Sequence, residues 1–303
     1  MHNALTIDVE DYFQVAAFAD SISMRSWDNR ESRVVRNTET LLGMLEAHDI
    51  KATFFVLGWI AKRYPQLVRN IVDQGHEIAS HGMNHQLIYN QAPDEFREET
   101  RSSKQLLEDL CGTAVLGYRA ATYSITNRSR WALDILVEEG FLYDSSIFPM
   151  RHDKYGIPGA TRHPHQLVTE KGNTIAEFPI SILQLGKFKL PVGGGGYFRL
   201  IPYFVTKWAL QKLNAQNEAF VFYLHPWEID PNQPRIANAS LFSKFRHYQN
   251  LTKCQARLER LLNDFSFRPL CHILADIGLL QVDSAGAWSS LSQKSERTAL
   301  QET

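Results

Sequence analysis

The chain has 303 residues, of which 44% are hydrophobic and 21% charged, and its formal net charge is −1. This is the balance of an ordinary globular protein, long enough for one large α/β domain with an extension or for two domains. Because positive charge is not in excess, the composition provides no overall basic field for nucleic acid or anionic lipid. We therefore expect neither nucleic acid nor a membrane surface as a partner.

Cysteine usage limits the kinds of metal site. The three cysteines, Cys111, Cys254 and Cys271, are odd in number and form no CxxC pair. This pattern argues against a disulfide framework and a thiolate zinc site, so any metal would be bound by histidines and carboxylates. No secretory leader pattern precedes the first strand, and no apolar run reaches the roughly 18 residues of a membrane span. We expect a cytoplasmic chain without a membrane span.

Short apolar strands alternate with helices along most of the chain. The predicted strands are residues 4–9, 52–57, 76–80, 115–118, 141–144, 175–178 and 219–224. The predicted helices are residues 38–48, 65–74, 93–110, 127–139 and 201–214. This alternation is typical of βαβ units with parallel strands. We predict an α/β fold, an incomplete or distorted (β/α) barrel of about seven parallel strands with a helical C-terminal extension.

The barrel is favoured over an open sheet by where polar residues fall. Asp8, His81, Arg119, Asp144 and His225 each stand at the C-terminal end of an apolar strand. A barrel gathers these strand ends around one mouth, whereas an open doubly wound sheet would spread them along an edge. We therefore expect these side chains to converge.

The composition of the chain changes after the predicted strand at residues 219–224. Residues 226–238 are rich in Pro and Asn, and residues 242–265 have the pattern of one or two helices. The last twenty or so residues are polar with few apolar anchors, which is typical of a frayed terminus. We predict a catalytic domain over residues 1–230, an extension packed on the barrel over 231–283, and a disordered tail over 284–303.

Three acidic residues, Asp8, Glu10 and Asp11, crowd the end of the first strand. In a strand, alternate side chains share a face, so Thr6, Asp8 and Glu10 can point together. Packed carboxylates repel one another unless a cation or a shared proton offsets the charge. Taken alone, such a cluster is more often a solvated turn after an edge strand.

Two histidines, His81 and His85, follow the predicted strand at 76–80. At positions i and i+4 they would lie on one face of a helical turn, which is a known way to bind a metal ion. Two histidines and one carboxylate form a triad that leaves positions for water and substrate. The alternative is two unrelated polar residues in a loop, and the residue types alone do not select zinc among divalent ions.

Further candidates lie near later strands. Arg119 can pair with a carboxylate and hold it ionised. His225 emerges from a buried strand beside Trp227, which suits a general acid in a half-closed pocket. Tyr123, Tyr197 and Trp227 could stack on a pyranose ring, and the alternative for each is packing in the core.

Four consecutive glycines at 193–196 precede Tyr197. The run lacks the Lys-Ser/Thr ending of a phosphate-binding loop. Glycine lets the backbone approach a ligand closely. We predict a mobile loop at the barrel mouth and leave open whether it touches a sugar.

Five segments, in this order, resemble the motifs of the NodB-homology polysaccharide deacetylases, carbohydrate esterase family 4. They are residues 6–11, 80–85, the segment around Arg119, 144–146 and 224–226. The resemblance covers residues 4 to 227. The Asp-x-Glu-Asp form of the first motif and Phe-Arg-His-Tyr at 245–248 resemble a subgroup from exopolysaccharide gene clusters, similar to the peptidoglycan deacetylase and allantoinase-like branch.

The resemblance implies a role for each matching residue. Asp8 matches the catalytic base and Arg119 the arginine that orients it. His81 and His85 match the metal-binding histidines, and His225 matches the general acid.

Two departures from the family pattern affect these assignments. The metal-binding acid usually follows the base directly, but here one residue intervenes, so Glu10 is the first choice and Asp11 the alternative. After Arg119 the family has Pro and an aromatic residue, where this chain has Ala121 and Thr122. The second departure leaves open which backbone N–H serves the oxyanion.

The resemblance implies a metal-dependent hydrolase that removes acetyl groups from N-acetylated sugars of an exopolysaccharide or cell-wall polymer. Its partner would be an acetylated oligo- or polysaccharide, and its cofactor one divalent ion, expected to be Zn²⁺. One alternative is an allantoinase-like hydrolase of cyclic amides that acts on a small molecule without tightly bound metal. The other is a non-catalytic carbohydrate-binding protein. The polymer, the acetylated position and the oligomeric state stay open.

Overall fold

Apolar, fully buried stretches form the strands, and they begin with residues 2–9, in which every residue but the first is buried. The computed structural model describes residues 1–284 and 286–290. The strands are β1 His2–Val9, β2 Thr53–Val56, β3 Glu77–Ser80, β4 Gly117–Tyr118, β5 Tyr143–Asp144, β6 His165–Val168, β7 Thr174–Glu177, β8 Ile182–Leu185, β9 Phe188–Pro191, β10 Val221–Leu224, β11 Ser266–Arg268, β12 Leu280–Val282 and β13 Trp288–Ser290.

The main sheet is largely parallel. Its strands follow the order β10-β1-β2-β3-β4-β5-β7-β6, and β11 pairs with the first residues of β1. The pairs from β10 to β7 are parallel, and β6 is antiparallel to β7. Among the described residues no strand pairing joins β10 to β6, so the barrel is not closed. The predicted incomplete barrel of about seven parallel strands is confirmed.

Helices connect the parallel strands and continue into the C-terminal segment. They are α1 Val34–Ala47, α2 Gly58–Arg63, α3 Pro65–Asp73, α4 Pro93–Cys111, α5 Trp131–Glu138, α6 Gly195–Leu200, α7 Tyr203–Ala215, α8 Leu241–Tyr248, α9 Leu251–Asp264 and α10 Leu270–Asp276. The longest, α4, begins with Pro93 and two acidic residues, and Gly112 ends it at φ 68°. Proline and acids suit a helix start, and glycine tolerates the left-handed end. No described helix is long and apolar enough to cross a membrane.

Alternation along the strands separates an outer core from the barrel interior. Leu5 and Ile7 of β1 point to the outer cluster that the helices cover, whereas Ala4 belongs to the inner cluster. Because side chains alternate, Thr6 and Asp8 also face the interior, where both contact one buried arginine. Polar side chains therefore lie in the barrel interior beside the apolar inner cluster.

The segment after residue 230 shares the core of the preceding chain. Cys254, Leu258 and Leu261 of α9 are buried in the outer cluster, and Leu270 and Leu274 of α10 in the inner one. Strand β11 adds hydrogen bonds to β1. This segment is therefore built into the fold, while its division from residues 1–230 as a separate unit stays a prediction.

The start of the predicted tail is ordered. Residues 288–290 form β13, which pairs with β12 in an antiparallel hairpin, and Trp288 packs edge-on against His272 at 5.5 Å between ring centroids. The disordered tail was therefore predicted too early, because one aromatic side chain anchors the hairpin. The rest of that prediction, residue 285 and residues 291–303, lies outside the described residues.

The glycine run packs against the free edge of β10. The Tyr223 N–H donates to the Gly193 carbonyl at 2.7 Å, and Gly194 forms a parallel bridge with Tyr223. A Cβ on Gly194 would lie 2.0 Å from the Tyr223 carbonyl oxygen, and its φ is 123°. Only glycine fits this approach. The run is thus a buried, ordered element rather than the mobile loop that we predicted.

Candidate metal centre and active site

Strand ends deliver the predicted polar residues to one mouth of the barrel. Asp8 is in β1, His81 directly follows β3, Arg119 follows β4 and His225 follows β10. Parallel pairing of β1 with β2 and β10, and of β3 with its neighbours, places these ends side by side. The expected convergence is observed for these four residues.

Glu10, His81 and His85 form the one group of metal-ligating type found among the described residues, with candidate ligand atoms all within 4.8 Å of one another. His85 Nε2 lies 2.7 Å from Glu10 Oε2. His81 Nδ1 lies 2.7 Å from the Arg119 carbonyl oxygen, which places its proton on Nδ1 and a lone pair on Nε2. A metal-binding histidine is commonly oriented by such a bond.

The protonation states of this group suit a divalent cation. Glu10 Oε2 is buried, and His85 Nε2 lies 2.7 Å from it. Burial raises the pKa of Glu10, but the charges of His85 and His225 outweigh it, so the pKa lies below its usual range. Burial lowers the pKa of His81 to about 4, which keeps this imidazole neutral. An ionised carboxylate with a neutral imidazole is the state in which these groups bind metal.

The two histidines reach this point from a loop and not from the predicted helical turn. Residues 81–87 are non-helical. Gly82 has φ 77° and His85 φ 53°, and these left-handed residues fold the loop back on itself. A left-handed non-glycine residue is strained, and such strain is often found at functional sites. The imidazole rings of His81 and His85 therefore do come together, but through a folded loop and not through the predicted helical turn.

Asp11, the alternative ligand, faces away from the histidines. Its Oδ2 accepts hydrogen bonds from Ser32 Oγ at 2.7 Å and from the backbone N–H groups of Arg33 and Val34 at 2.8 and 3.1 Å. These are the free donors at the start of α1, so Asp11 acts as a remote cap for that helix. The structure places Glu10, and not Asp11, beside the histidines.

Asp8 is held by a fully buried arginine. Arg119 Nη1 donates to Asp8 Oδ1 at 2.6 Å and to Thr6 Oγ1 at 2.7 Å. Its Nε and Nη2 donate to the carbonyl and hydroxyl oxygens of Ser145, and the guanidinium lies 4.0 Å from the centroid of the Phe55 ring. Because several donors of the guanidinium are used, the carboxylate of Asp8 has a fixed orientation.

His225 faces both carboxylates of the first motif. Its Nε2 lies 3.4 Å from Glu10 Oε1 and 3.9 Å from Asp8 Oδ2. Its Nδ1 lies 2.7 Å from Glu228 Oε1. Burial lowers the pKa of His225, but Glu10, Glu228 and Asp8 together raise it to about 9. The imidazole is therefore set up to carry a proton.

Trp227 was predicted to stack on a sugar, but its indole is buried and already stacks on two histidines. The ring centroids of His225 and His247 lie 5.2 and 4.1 Å from that of Trp227, and the residue is 5% exposed. The indole N–H donates to Glu10 Oε1 at 3.2 Å. This geometry favours a role in orienting Glu10 over stacking on a substrate.

The two tyrosines predicted to contact substrate differ in exposure. Tyr123 is 6% exposed and packs against Phe148, Tyr155 and Tyr223, so its ring belongs to the core. Tyr197, at the start of α6, is half-buried. Of the three aromatic candidates, Tyr197 alone keeps a partly open ring.

Asp144 lies near Arg119 and is not one of the candidate metal ligands. It is fully buried and accepts hydrogen bonds from the Ser146 hydroxyl and backbone N–H. It pairs in register with Glu177, whose pKa is raised by burial and by the charge of Asp144. These contacts connect β5 to β7 beneath the mouth.

Three residues around His225 were not assigned from the sequence: Arg199, Glu228 and His247. Glu228 stands three residues after His225, a spacing that could have identified it as a partner. Arg199 follows the glycine run and His247 lies in Phe-Arg-His-Tyr, but nothing local in the sequence connects either residue to His225.

Comparison with known families divides the chain in two. Residues 22–136 match the polysaccharide deacetylase family, and residues 145–275 match a domain of unknown function, DUF3473. His81, His85 and Arg119 lie in the first match, and His225 lies in the second.

Curated relatives are similar over about a third of the chain. A chitooligosaccharide deacetylase from Bradyrhizobium sp. is 32% identical over 99 residues, which is 33% of this chain and 43% of that protein. A peptidoglycan-N-acetylglucosamine deacetylase from Bacillus cereus is 33% identical over 98 residues, which is 32% of this chain and 36% of that protein. The chain thus matches less than half the length of either relative.

Solved structures extend the similarity in fold to most of the chain. A putative polysaccharide deacetylase from Mycobacterium smegmatis aligns with a TM-score of 0.57 at 22% identity, over 90% of this chain and 88% of that one. Puue allantoinase aligns with a TM-score of 0.60 at 16% identity over the same shares. The family match identifies residues 22–136 as belonging to a polysaccharide deacetylase (NodB-homology) domain, and the solved structures show that the same fold extends over most of the chain.

Proposed function

We propose that this protein is a metal-dependent deacetylase that removes acetyl groups from N-acetylated sugars of an oligo- or polysaccharide. The observation that carries the proposal is the convergence, at one barrel mouth, of three groups. They are the Glu10–His81–His85 cluster, the Asp8–Arg119 pair and His225. The deacetylases described above support an acetylated saccharide as the substrate, because they are named for chitooligosaccharide and for peptidoglycan N-acetylglucosamine.

Glu10, His81 and His85 would hold one divalent ion, and we propose zinc. Two imidazole nitrogens and one carboxylate oxygen form a common ligand set of catalytic zinc, with a position left for water or substrate. When bound there, the ion would supply Lewis acidity toward the acetyl carbonyl and the attacking water.

The protein's own residues would carry the proton transfers. Asp8, oriented by its hydrogen bond from Arg119, accepts a proton from the water whose oxygen forms the new bond to the acetyl carbon. His225 Nε2 gives its proton to the sugar nitrogen as the C–N bond breaks. The products are acetate and a free amino sugar.

The finer substrate class rests on resemblance. The Asp-x-Glu-Asp form of the first motif and the segment at 245–248 favour an exopolysaccharide or cell-wall polymer. Tyr197, with its partly open ring, is the proposed stacking residue. The allantoinase-like alternative requires no tightly bound metal, and the buried Glu10 oxygen beside two histidines favours the deacetylase.

The test is acetate release from N-acetylated chito-oligosaccharides, peptidoglycan fragments and acetylated exopolysaccharide, with and without chelator. We expect release from at least one, lost on chelation and restored by zinc. Absence of release from every substrate by metal-loaded protein would overturn the proposal.

Metal analysis tests the ligands separately from the activity. His81→Ala and His85→Ala should each lose most of the metal. His163→Ala, at a histidine whose side chain is 45% exposed, is the control and should retain it. Full metal occupancy in the double variant of His81 and His85 would refute the ligand assignment.

A further inference from the structure

Arg199, in α6, is 2% exposed, and its guanidinium donates hydrogen bonds to four residues. Its Nε donates to Glu228 Oε2 at 2.6 Å. Its Nη1 donates to the carbonyl oxygens of His247 and Gln249 at 2.6 and 3.1 Å, and its Nη2 to that of Arg246 at 3.2 Å. A buried guanidinium is tolerated only when its donors are satisfied, so this side chain has essentially one available position.

The second oxygen of Glu228 is directed at His225. Glu228 Oε1 accepts from the His225 backbone N–H at 3.1 Å and lies 2.7 Å from Nδ1. Burial raises the pKa of Glu228, but Arg199 and His225 lower it below its usual value, so the carboxylate is ionised. An ionised carboxylate can only accept, so the proton lies on Nδ1 and Nε2 is left facing Asp8 and Glu10.

The α8–α9 junction, residues 246–249, reaches His225 by two routes. Its carbonyl groups hold Arg199, as described above. The imidazole of His247 also stacks on Trp227, which in turn stacks on His225. The general-acid candidate is therefore supported from a part of the chain that lies beyond the last family motif in the sequence.

We propose that Glu228 and Arg199 are positioning residues for His225, which keep its Nδ1 protonated and its Nε2 directed into the site, with the α8–α9 junction as their anchor. The inference deepens the proposed function and rests on it for the role of His225. In the reaction, Nε2 loses its proton to the departing nitrogen as the C–N bond breaks. The imidazole is left neutral with its proton on Nδ1, and Glu228 stays ionised.

Stability alone does not account for a buried Arg199–Glu228 pair. Well-packed apolar residues in place of a buried ion pair are often equally or more stable. Both oxygens of Glu228 face donors, Arg199 on one side and His225 on the other. A glutamine there would set its NH₂ group against one donor, so the site specifically needs a carboxylate.

Glu228→Gln is the first test, because it preserves shape. We expect kcat for acetate release from N-acetyl chito-oligosaccharides to fall roughly 10- to 100-fold, the scale seen for residues that orient a functional group, with KM little changed. Glu218→Gln is the matched control: Glu218 pairs with Arg162 through both oxygens, at 2.5 and 2.9 Å, and touches no candidate site residue. It should leave kcat unchanged.

Nitrogen NMR of labelled histidine gives a readout that is independent of turnover. In the metal-loaded wild type, His225 should show a proton on Nδ1, with the signal assigned from a His225→Gln sample. At a pH high enough for His225 to be neutral, the wild type should keep this proton on Nδ1, whereas Glu228→Gln should show a mixture of the two tautomers. Glu218→Gln should give the wild-type signal.

Arg199→Ala tests the anchor, and added guanidinium below denaturing concentrations should restore part of its kcat. Arg199→Lys should retain intermediate activity. If Arg199→Ala does not fold, the Glu228 measurements decide the proposal. Wild-type kcat together with an unchanged His225 signal in Glu228→Gln would overturn it, and so would equal losses in Glu228→Gln and Glu218→Gln. An inactive wild type with the Nδ1 proton in place would refute the proposed function and leave the positioning geometry standing.

Discussion

The two halves of the candidate site are each organised by a buried arginine, but the arginines are supported differently. Arg119 and Arg199 are the two largest fully buried side chains. Arg119 holds Asp8 with partners that lie in or directly after strands of the main sheet. Arg199 holds Glu228 with carbonyl groups of residues 246–249, far along the chain and outside the sheet. The half of the site that contains Asp8, the proposed base, is thus positioned by the parallel strands. The half that contains His225, the proposed acid, depends on the C-terminal segment.

This difference coincides with the division between the two family matches. His81, His85 and Arg119 lie in the polysaccharide deacetylase match, and Asp8 and Glu10 precede it in the chain. His225 and the residues that support it lie in the DUF3473 match. We infer that the second region is required for the acid half of the reaction and not only for stability. The four predictions that follow test this division, from the largest expected effect to the smallest.

Truncation after Asp230 should have the largest effect. It removes β11 from the edge of β1, and it removes the buried face of α9 from the outer core. Loss of so much apolar burial exceeds the whole stability of a typical domain, about 5–15 kcal/mol. We expect insoluble or unfolded protein, measured by soluble yield and circular dichroism. A soluble and fully active product would show that the segment is dispensable.

Asp8→Asn tests the base half. It keeps the shape of the side chain but removes its charge, so turnover should fall roughly 10²- to 10⁴-fold, the usual scale for a general base. Metal content should stay at the wild-type level, because Asp8 lies outside the Glu10 cluster. If the variant instead loses metal and excess ion restores activity, Asp8 is a ligand and the base must be another residue.

The variants Glu10→Ala and Asp11→Ala distinguish the proposed metal ligand from the residue that caps α1. Glu10→Ala should lose metal, measured by elemental analysis. Asp11→Ala should retain metal but lower Tm, because its carboxylate caps α1, and loss of a cap costs about 0.5–2 kcal/mol. Greater metal loss from Asp11→Ala than from Glu10→Ala would reverse the assignment.

Truncation after Asp283 should have the smallest effect. It removes β13 and the contact between Trp288 and His272, and leaves β12 unpaired. A two-stranded hairpin contributes little by itself, so Tm should fall by a few degrees while acetate release stays unchanged. Loss of activity with Tm preserved would mean that the chain beyond Asp283 takes part in the reaction.

Much of the fold was predictable because its signals are local. The Pro93 start and Gly112 end of α4 follow from backbone sterics within a few residues, and the prediction missed its last residue by one. The parallel sheet followed from alternating apolar runs and helices. Short strands such as β4, with two residues, and the β8–β9 hairpin carry too little periodicity, so their bounds were missed or misplaced.

The site residues likewise divide into those that the local sequence predicts and those that depend on tertiary packing. The sequence by itself determined which polar residues stand at strand ends, and parallel pairing makes Asp8, His81, Arg119 and His225 neighbours. The sequence made Glu10 the first choice and Asp11 the alternative, but only the tertiary structure determines that Glu10 lies beside the histidines while Asp11 accepts from the N–H groups at the start of α1. The burial of Trp227 and the connection from residues 246–249 through Arg199 to His225 were likewise decided by tertiary packing. Contacts between residues that far apart in the chain leave no periodic trace in the sequence, since each partner is locally compatible with many neighbours.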